Sequence, residues 1–164
     1  MSFNEFRLKL MQVKLGNNKQ FFEPVYKDNE NQFLNEIATT FITWIDIIVF
    51  NTYDLTPKLA KELGIKIKQL CAEFETMFIL KGKVDIAYII KPEAILLDKD
   101  NINAHDAREI LGEDILVGHI GNLDSTTLEG LDFIINEHAI FKEKPCYQIY
   151  EGFDKTQPLI LQYT

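Results

Sequence analysis

With 164 residues, 46% apolar and 26% charged, the chain is expected to form one globular domain, residues 1–164, around a hydrophobic core. Its 17 Lys plus Arg against 25 Asp plus Glu leave a net charge of −8, a poor complement to the phosphates of nucleic acid, so that partner is excluded. No apolar run reaches the ~18 residues of a membrane span and no signal-peptide start is visible; two cysteines are too few for a disulfide framework or zinc cluster, and a cytoplasmic setting follows.

In chain order, "EFRLKLMQVKLGNNKQFFEPVYK" alternates around the turn signal Gly16-Asn17-Asn18, which predicts a β-hairpin or one strand and a loop. From Asn31, the pairs Phe33/Leu34, Ile37/Ala38 and Phe41/Ile42 recur at the spacing of one buried helix face. "IDIIVF", Ile45 to Phe50, reads as a buried strand. Thr56 is an N-cap with Pro57 at the first helical position, and Leu59, Leu63, Ile67, Leu70 and Phe74 continue that helix's apolar stripe, with Gly64 a weak point and Cys71 a small core residue. "TMFIL" is a strand, "KVDIAYII" a short helix and "AILL" a strand.

Asn103 caps the next helix, Asp106 faces its positive end and Gly112 stops it. "ILVGH" is a strand, "LDSTTLEG" a helical turn and "DFIIN" a strand; "CYQIYE" and "PLILQYT" follow as strands around the loop "GFDKTQ". Strand and helix alternate from about Asn31 to Asn136, which argues for parallel strands joined by crossover helices in an α/β layered fold or barrel. The segment Asp98-Lys99-Asp100-Asn101 can present two carboxylates to a cation, or serve as a solvated loop into a capped helix. The helix needs a cap in either case; no metal ligand and no cofactor is assigned.

"FLNEIATTFITWIDIIVFNTYDL" resembles the first helix and second strand of the thiamine phosphate synthase and thiazole tautomerase (TenI-like) family. "LCAEFETMFILKGKVDIAYIIKPEAILLDKDNINAHDAREILGEDILVG" follows the same family's rhythm, and "LDFIINEHAIF" resembles its later strand and loop, so that the similarity runs from about Phe33 to Pro145. The resemblance implies an eight-fold β/α barrel with its site at the C-terminal strand ends. Such barrels usually need ~200 to 250 residues. The expected fold is therefore α/β, a truncated or rearranged (β/α) TIM-barrel-like fold with extra N- and C-terminal strands. Its open edge calls for cover by the N-terminal section, the C-terminal strands or a second subunit, which makes a homodimer a partner to test.

The synthase reaction implied by the family expels pyrophosphate, which calls for Mg²⁺, carboxylates and cationic donors. The family's glutamine-x-arginine-x-lysine pattern falls here on Val49, Asn51 and Tyr53, so both cations are replaced. Its asparagine-aspartate pair after the third strand falls on Lys81 and Gly82, and its fourth-strand carboxylate on Asn101, or on Asp100 with a shift of one. Its phosphate loop after the sixth strand reads Lys142-Glu143-Lys144-Pro145. Losing one preorganised donor typically costs ~2.7 to 4 kcal/mol of transition-state stabilisation.

The candidate ligand-binding residues are thus Asn51, Tyr53, Lys81, Asp98, Asp100 and Lys142, for a small phosphorylated thiazole or pyrimidine. His119, ending "ILVGH", and His138, after "DFIIN", are the candidate catalytic residues, able to shuttle a proton near neutral pH or to stand as strand-end residues without a task. The readings in order are a degenerate relative with a binding or regulatory role near thiamine biosynthesis, a tautomerase-type enzyme using His119 and His138, and a synthase completed by a partner.

Overall fold

The computed structural model describes residues 19–42, 45, 47–121, 131–136, 146–149 and 159–163. Strand β1 (Lys19–Phe22) is followed by α1 (Glu30–Ile42), β2 (Ile47–Asn51), α2 (Pro57–Glu73), β3 (Met77–Lys81), α3 (Val84–Ile90), β4 (Ala94–Leu97) and α4 (Ala104–Leu111). Four further strands come after: β5 (Leu116–Gly121), β6 (Phe133–Asn136), β7 (Cys146–Ile149) and β8 (Leu159–Tyr163). The predicted 45–50 strand starts and ends slightly later, and the hairpin expected around Gly16 lies outside the described residues except for β1.

The strands close into a barrel in the order β1-β2-β3-β4-β5-β6-β8-β7. From β1 to β6 each strand is parallel to the next, with Val49 opposite Ile79, Leu96 opposite Gly118 and Gly118 opposite Phe133. β8 then pairs in parallel with β6, and β7 runs antiparallel between β8 and β1, with Lys19 opposite Tyr147. The chain's own C-terminal strands therefore cover the expected open edge. An antiparallel neighbour needs no crossover helix, whereas a parallel one needs a connection of about a dozen residues or more, so a short chain can finish the circle this way. Closure leaves no strand edge among the described strands, and the edge argument for a homodimer lapses.

Side chains alternate between two buried layers, as strand geometry requires. Ile48, Phe50, Phe78, Leu80, Ile95, Leu97 and Val117 pack outward with Phe33, Ile37, Leu63, Ile67 and Ala107 from the helices. Ile47, Val49, Met77, Ile79, Ala94, Leu96, Leu116 and Phe133 are equally buried and belong to the alternate, inward set. Each such burial contributes on the order of 1.5 to 3 kcal/mol for a large side chain. Gly118 makes room in that interior, because a Cβ there would stand 2.1 Å from the Phe133 ring.

The helices begin where the sequence places caps. Thr56 Oγ1 accepts from Leu59 N–H at 3.3 Å with Pro57 next, and Asn103 Oδ1 accepts from Asp106 N–H at 2.9 Å. Asn29 does the same for α1, accepting from Gln32 N–H at 3.0 Å. On α2 the buried face is Ala60, Leu63, Gly64, Ile67 and Cys71, with Leu59 and Leu70 half-buried at its flanks. Phe74 departs from the expected stripe: it lies past the last helical residue and is 51% exposed. Gly64 is a contact point rather than a weak one, since a Cβ there would meet Ile90 Cδ1 at 2.2 Å.

At the N-terminal end of the strands, buried Asp132 ties the layers together. Its Oδ2 accepts from Val117 N–H at 2.8 Å and from Arg108, while Asp132 N–H donates to Val117 O at 2.8 Å. Burial pushes the Asp132 carboxyl up, against the pull of the Arg108 guanidinium and the Val117 amide. This end of a barrel serves stability rather than chemistry.

Candidate functional site at the strand ends

At the other end of the barrel, the residues that follow each apolar run gather around the mouth. In β1 to β4 the inward parity that buries Val49, Ile79 and Leu96 continues into Asn51, Lys81 and Asp98, where apolar layers give way to polar ones. Glu23, the residue after β1, meets Lys81 across this mouth: Lys81 Nζ stands 3.4 Å from Glu23 Oε1, and both side chains are less than one-fifth exposed. Lys83 Nζ donates to the Leu55 carbonyl. Neither lysine is the fully solvated surface group that a charged residue in a loop would suggest.

Thr52 joins the β2 and β3 loops. Its side chain is buried, its Oγ1 donates to Lys81 O at 2.9 Å and accepts from Lys83 N–H at 2.9 Å, and its N–H also reaches Lys81 O at 2.9 Å. Gly82 sits between these contacts with φ +118, and a Cβ there would stand 2.6 Å from Thr52 Oγ1. Only glycine accepts both the conformation and the space.

Asn101 joins the β3 and β4 loops. Its Nδ2 donates to Gly82 O at 2.6 Å and to Tyr53 Oη at 3.2 Å, and its Oδ1 accepts from Ile102 N–H at 2.8 Å. Asn51 Oδ1 accepts from Tyr53 N–H at 3.0 Å and so fixes the base of the Tyr53 loop. Burial pushes the Tyr53 phenol up to about 12; a hydrogen bond to Asp98 and the charges of Asp98 and Asp100 push the same way, while Asn101 pulls it down. Asp98 Oδ1 also accepts from Asp100 N–H at 2.9 Å, and Asp98 O accepts from Asn101 N–H at 3.1 Å. The segment from Asp98 to Asn101 is thus a hydrogen-bonded loop that delivers the chain to the Asn103 cap.

His119 is adjacent to Asp98 but has a different outlook. Its register partner is Leu97, and alternation places it with Val117 on the helix-facing side of β5, opposite in sense to Gly118. Its Nδ1 is buried with no hydrogen-bond partner among the described residues. Burial lowers its pKa below the ordinary 6.5, opposed by the charge and backbone of Asp98. His138 and Lys142 lie outside the described residues.

The structure therefore brings Asn51, Tyr53, Asp98 and Asp100 into one network, pairs Lys81 with Glu23, and sets His119 at its margin. Sequence reading missed Glu23, Thr52 and the linking role of Asn101. The charged residue ending "QFFE" and the polar residues ending "VFNT" were the available signals, since a polar residue closing an apolar strand of a barrel marks the mouth.

Residues 24–138, more than half of the chain, match the family model described as thiamine monophosphate synthase. A thiamine-phosphate synthase of Campylobacter jejuni (strain RM1221) is 28% identical over 106 residues, covering 65% of this chain and 49% of its own length. One from Fusobacterium nucleatum is 25% identical over 117 residues, covering 69% of this chain and 56% of its own. The chain thus spans about half the length of these relatives. Among solved structures, a thiamine phosphate pyrophosphorylase from Pyrococcus furiosus superposes with a TM-score of 0.62 at 15% identity over 77% of this chain and 61% of that one. A dihydrodipicolinate synthase from Oceanobacillus iheyensis gives 0.53 at 14% identity over 81% and 54%. At such identities the superpositions speak for the barrel alone.

Proposed function

The chain belongs to the thiamine monophosphate synthase family, and from that membership we propose that it is a ligand-binding relative that no longer expels pyrophosphate, a pseudoenzyme with a binding or regulatory role near thiamine biosynthesis. The observation that carries this reading is the balance of charge at the described mouth. The positions that the resemblance gives to two cations hold Asn51 and Tyr53 side chains with local tasks, and Lys81 faces the Glu23 carboxylate at 3.4 Å. Asp98 and Asp100 add negative charge beside them. Catalysis of pyrophosphate departure needs donors aimed at developing negative charge, and this arrangement opposes it. The ligand of such a mouth is a small molecule related to the phosphorylated thiazole or pyrimidine of the family, met in the cytoplasm.

Incubating the chain with the pyrimidine methyl pyrophosphate, the thiazole phosphate and Mg²⁺ is expected to yield no thiamine phosphate, while thiazole phosphate or thiamine phosphate raises its melting temperature with concentration. Product formed at a rate proportional to protein overturns the proposal and returns an active synthase, completed by a partner subunit or another residue set. A second reading, proton transfer of tautomerase type, draws on one observation: an imidazole whose pKa burial lowers, His119, lies beside Asp98, which pulls it back up. Isomerisation of a thiazole carboxylate phosphate that His119→Ala or His138→Ala abolishes would establish it.

A further inference from the structure

Two oxygens meet a single nitrogen at the junction of the β2, β3 and β4 loops, with two carboxylates close by. Asn101 Nδ2 lies 2.6 Å from Gly82 O and 3.2 Å from Tyr53 Oη. The Asp98 and Asp100 carboxylates lie close enough to that phenol to help push its pKa up. A carbonyl and a hydroxyl oxygen sharing one donor, with carboxylates nearby, are the kinds of oxygen a hard divalent cation collects. Here the centre is the NH₂ end of an amide. Its orientation is fixed, because Oδ1 is engaged by Ile102 N–H at 2.8 Å and only Nδ2 can then face the Gly82 carbonyl.

We propose that Asn101 is a specificity-determining residue whose side-chain amide stands in for a divalent cation, latching the loops together so that the mouth takes its ligand without a metal-chelated diphosphate. The magnesium that the family resemblance implies does not fit these residues as they stand. An ion seated between the Gly82 carbonyl and the Tyr53 phenol would have to displace Nδ2, and the carboxylate expected after the third strand cannot be rebuilt at Gly82. A side chain there would meet Thr52 Oγ1 at 2.6 Å on a backbone of φ +118. Asn101 is a position where a single exchange tests this reading. Asn101→Asp replaces the donor by an acceptor of the same shape, releases Gly82 O, and leaves an all-oxygen cluster with Asp98 and Asp100 nearby.

The proposal rests on the reading that this mouth binds a ligand rather than expelling pyrophosphate, yet it fails separately. Titration of the full chain with Mn²⁺ alone, and with Mn²⁺ plus inorganic pyrophosphate, is followed by the electron paramagnetic resonance of free Mn²⁺. The wild type is expected to titrate like Asp98→Asn, with no site lost in the variant. Asn101→Asp is expected to bind one Mn²⁺ at least tenfold more tightly than the wild type. Mn²⁺ held by the wild type and released by Asp98→Asn overturns the proposal, as does an Asn101→Asp chain that binds no more tightly. Two measurements do not depend on that variant folding. Asn101→Ala should lower the unfolding midpoint by on the order of 2 to 4 °C through the lost hydrogen bond. In the nuclear magnetic resonance spectrum of the wild type, the Asn101 side-chain NH₂ should exchange slowly with solvent, and fast exchange refutes the latch. Product formed in the presence of a chelator would sink the functional reading while leaving this inference standing.

Discussion

Replacing Gly118 by alanine tests the packing of the barrel interior directly. The added methyl carbon would stand 2.1, 2.2 and 2.5 Å from three carbons of the Phe133 ring, its register partner on the adjacent strand. Ordinary carbon contact lies near 3.5 to 4.0 Å, so the ring must retreat by roughly one ångström or more. Phe133 is fully buried, and a close-packed interior offers it no void to enter. Overpacking of this kind typically costs about 1 to 3 kcal/mol, which for a domain of this size lowers the melting temperature by roughly 2 to 12 °C. Combining Gly118→Ala with Phe133→Leu should recover part of that loss, because the smaller side chain vacates the space the methyl needs. Urea unfolding of both single variants and the double variant would therefore give a stabilising coupling of about 0.5 kcal/mol or more. Strict additivity, or a Gly118→Ala chain as stable as the parent, would refute the inward placement of Phe133 against Gly118.

Arg108→Met should cost about 3 to 5 kcal/mol in the same assay, since it strands the buried Asp132 carboxylate without its guanidinium; a loss below 1 kcal/mol would show the pair to be dispensable. Lys91, exposed and held at φ 58 as the C-cap of α3, should gain about 1 kcal/mol on replacement by glycine, read as a higher melting temperature. His119 gives a pH dependence of definite sign. Its pKa is lowered on folding, so the unfolded chain binds the proton more readily; its contribution is fully present above pH 6.5 and is lost as pH falls through 6.5 towards the folded value. Unfolding midpoints measured on either side of that window should fall on acidification, less steeply in His119→Gln, and an unchanged slope in the variant would remove His119 from the account.

Local signals carried most of the β/α part of this fold. The Thr56-Pro57 start, the Asn103 cap and the runs "TMFIL" and "AILL" act over a few residues, and the structure places helices and strands there. The order β6-β8-β7 was not legible, because pairing between distant strands leaves no period in the sequence. Phe74 misled for a related reason: it keeps the helical spacing one turn too far, past the residue where α2 ends. At the mouth, residue types were visible but their assignments were not. Tyr53 and Asp98 could be singled out as polar residues after apolar strands, whereas the link through Asn101 depends on the β2, β3 and β4 loops meeting in space.

Because β7 completes the circle by lying against β1, with Gln20 opposite Cys146, the earliest described strand must wait for one of the latest. During synthesis on the ribosome, β1 to β6 can emerge and pair in turn while both flanks of the growing sheet stay exposed. Loss of β7 and β8 would make that exposure permanent, leaving the β1 and β6 flanks as two adhesive margins.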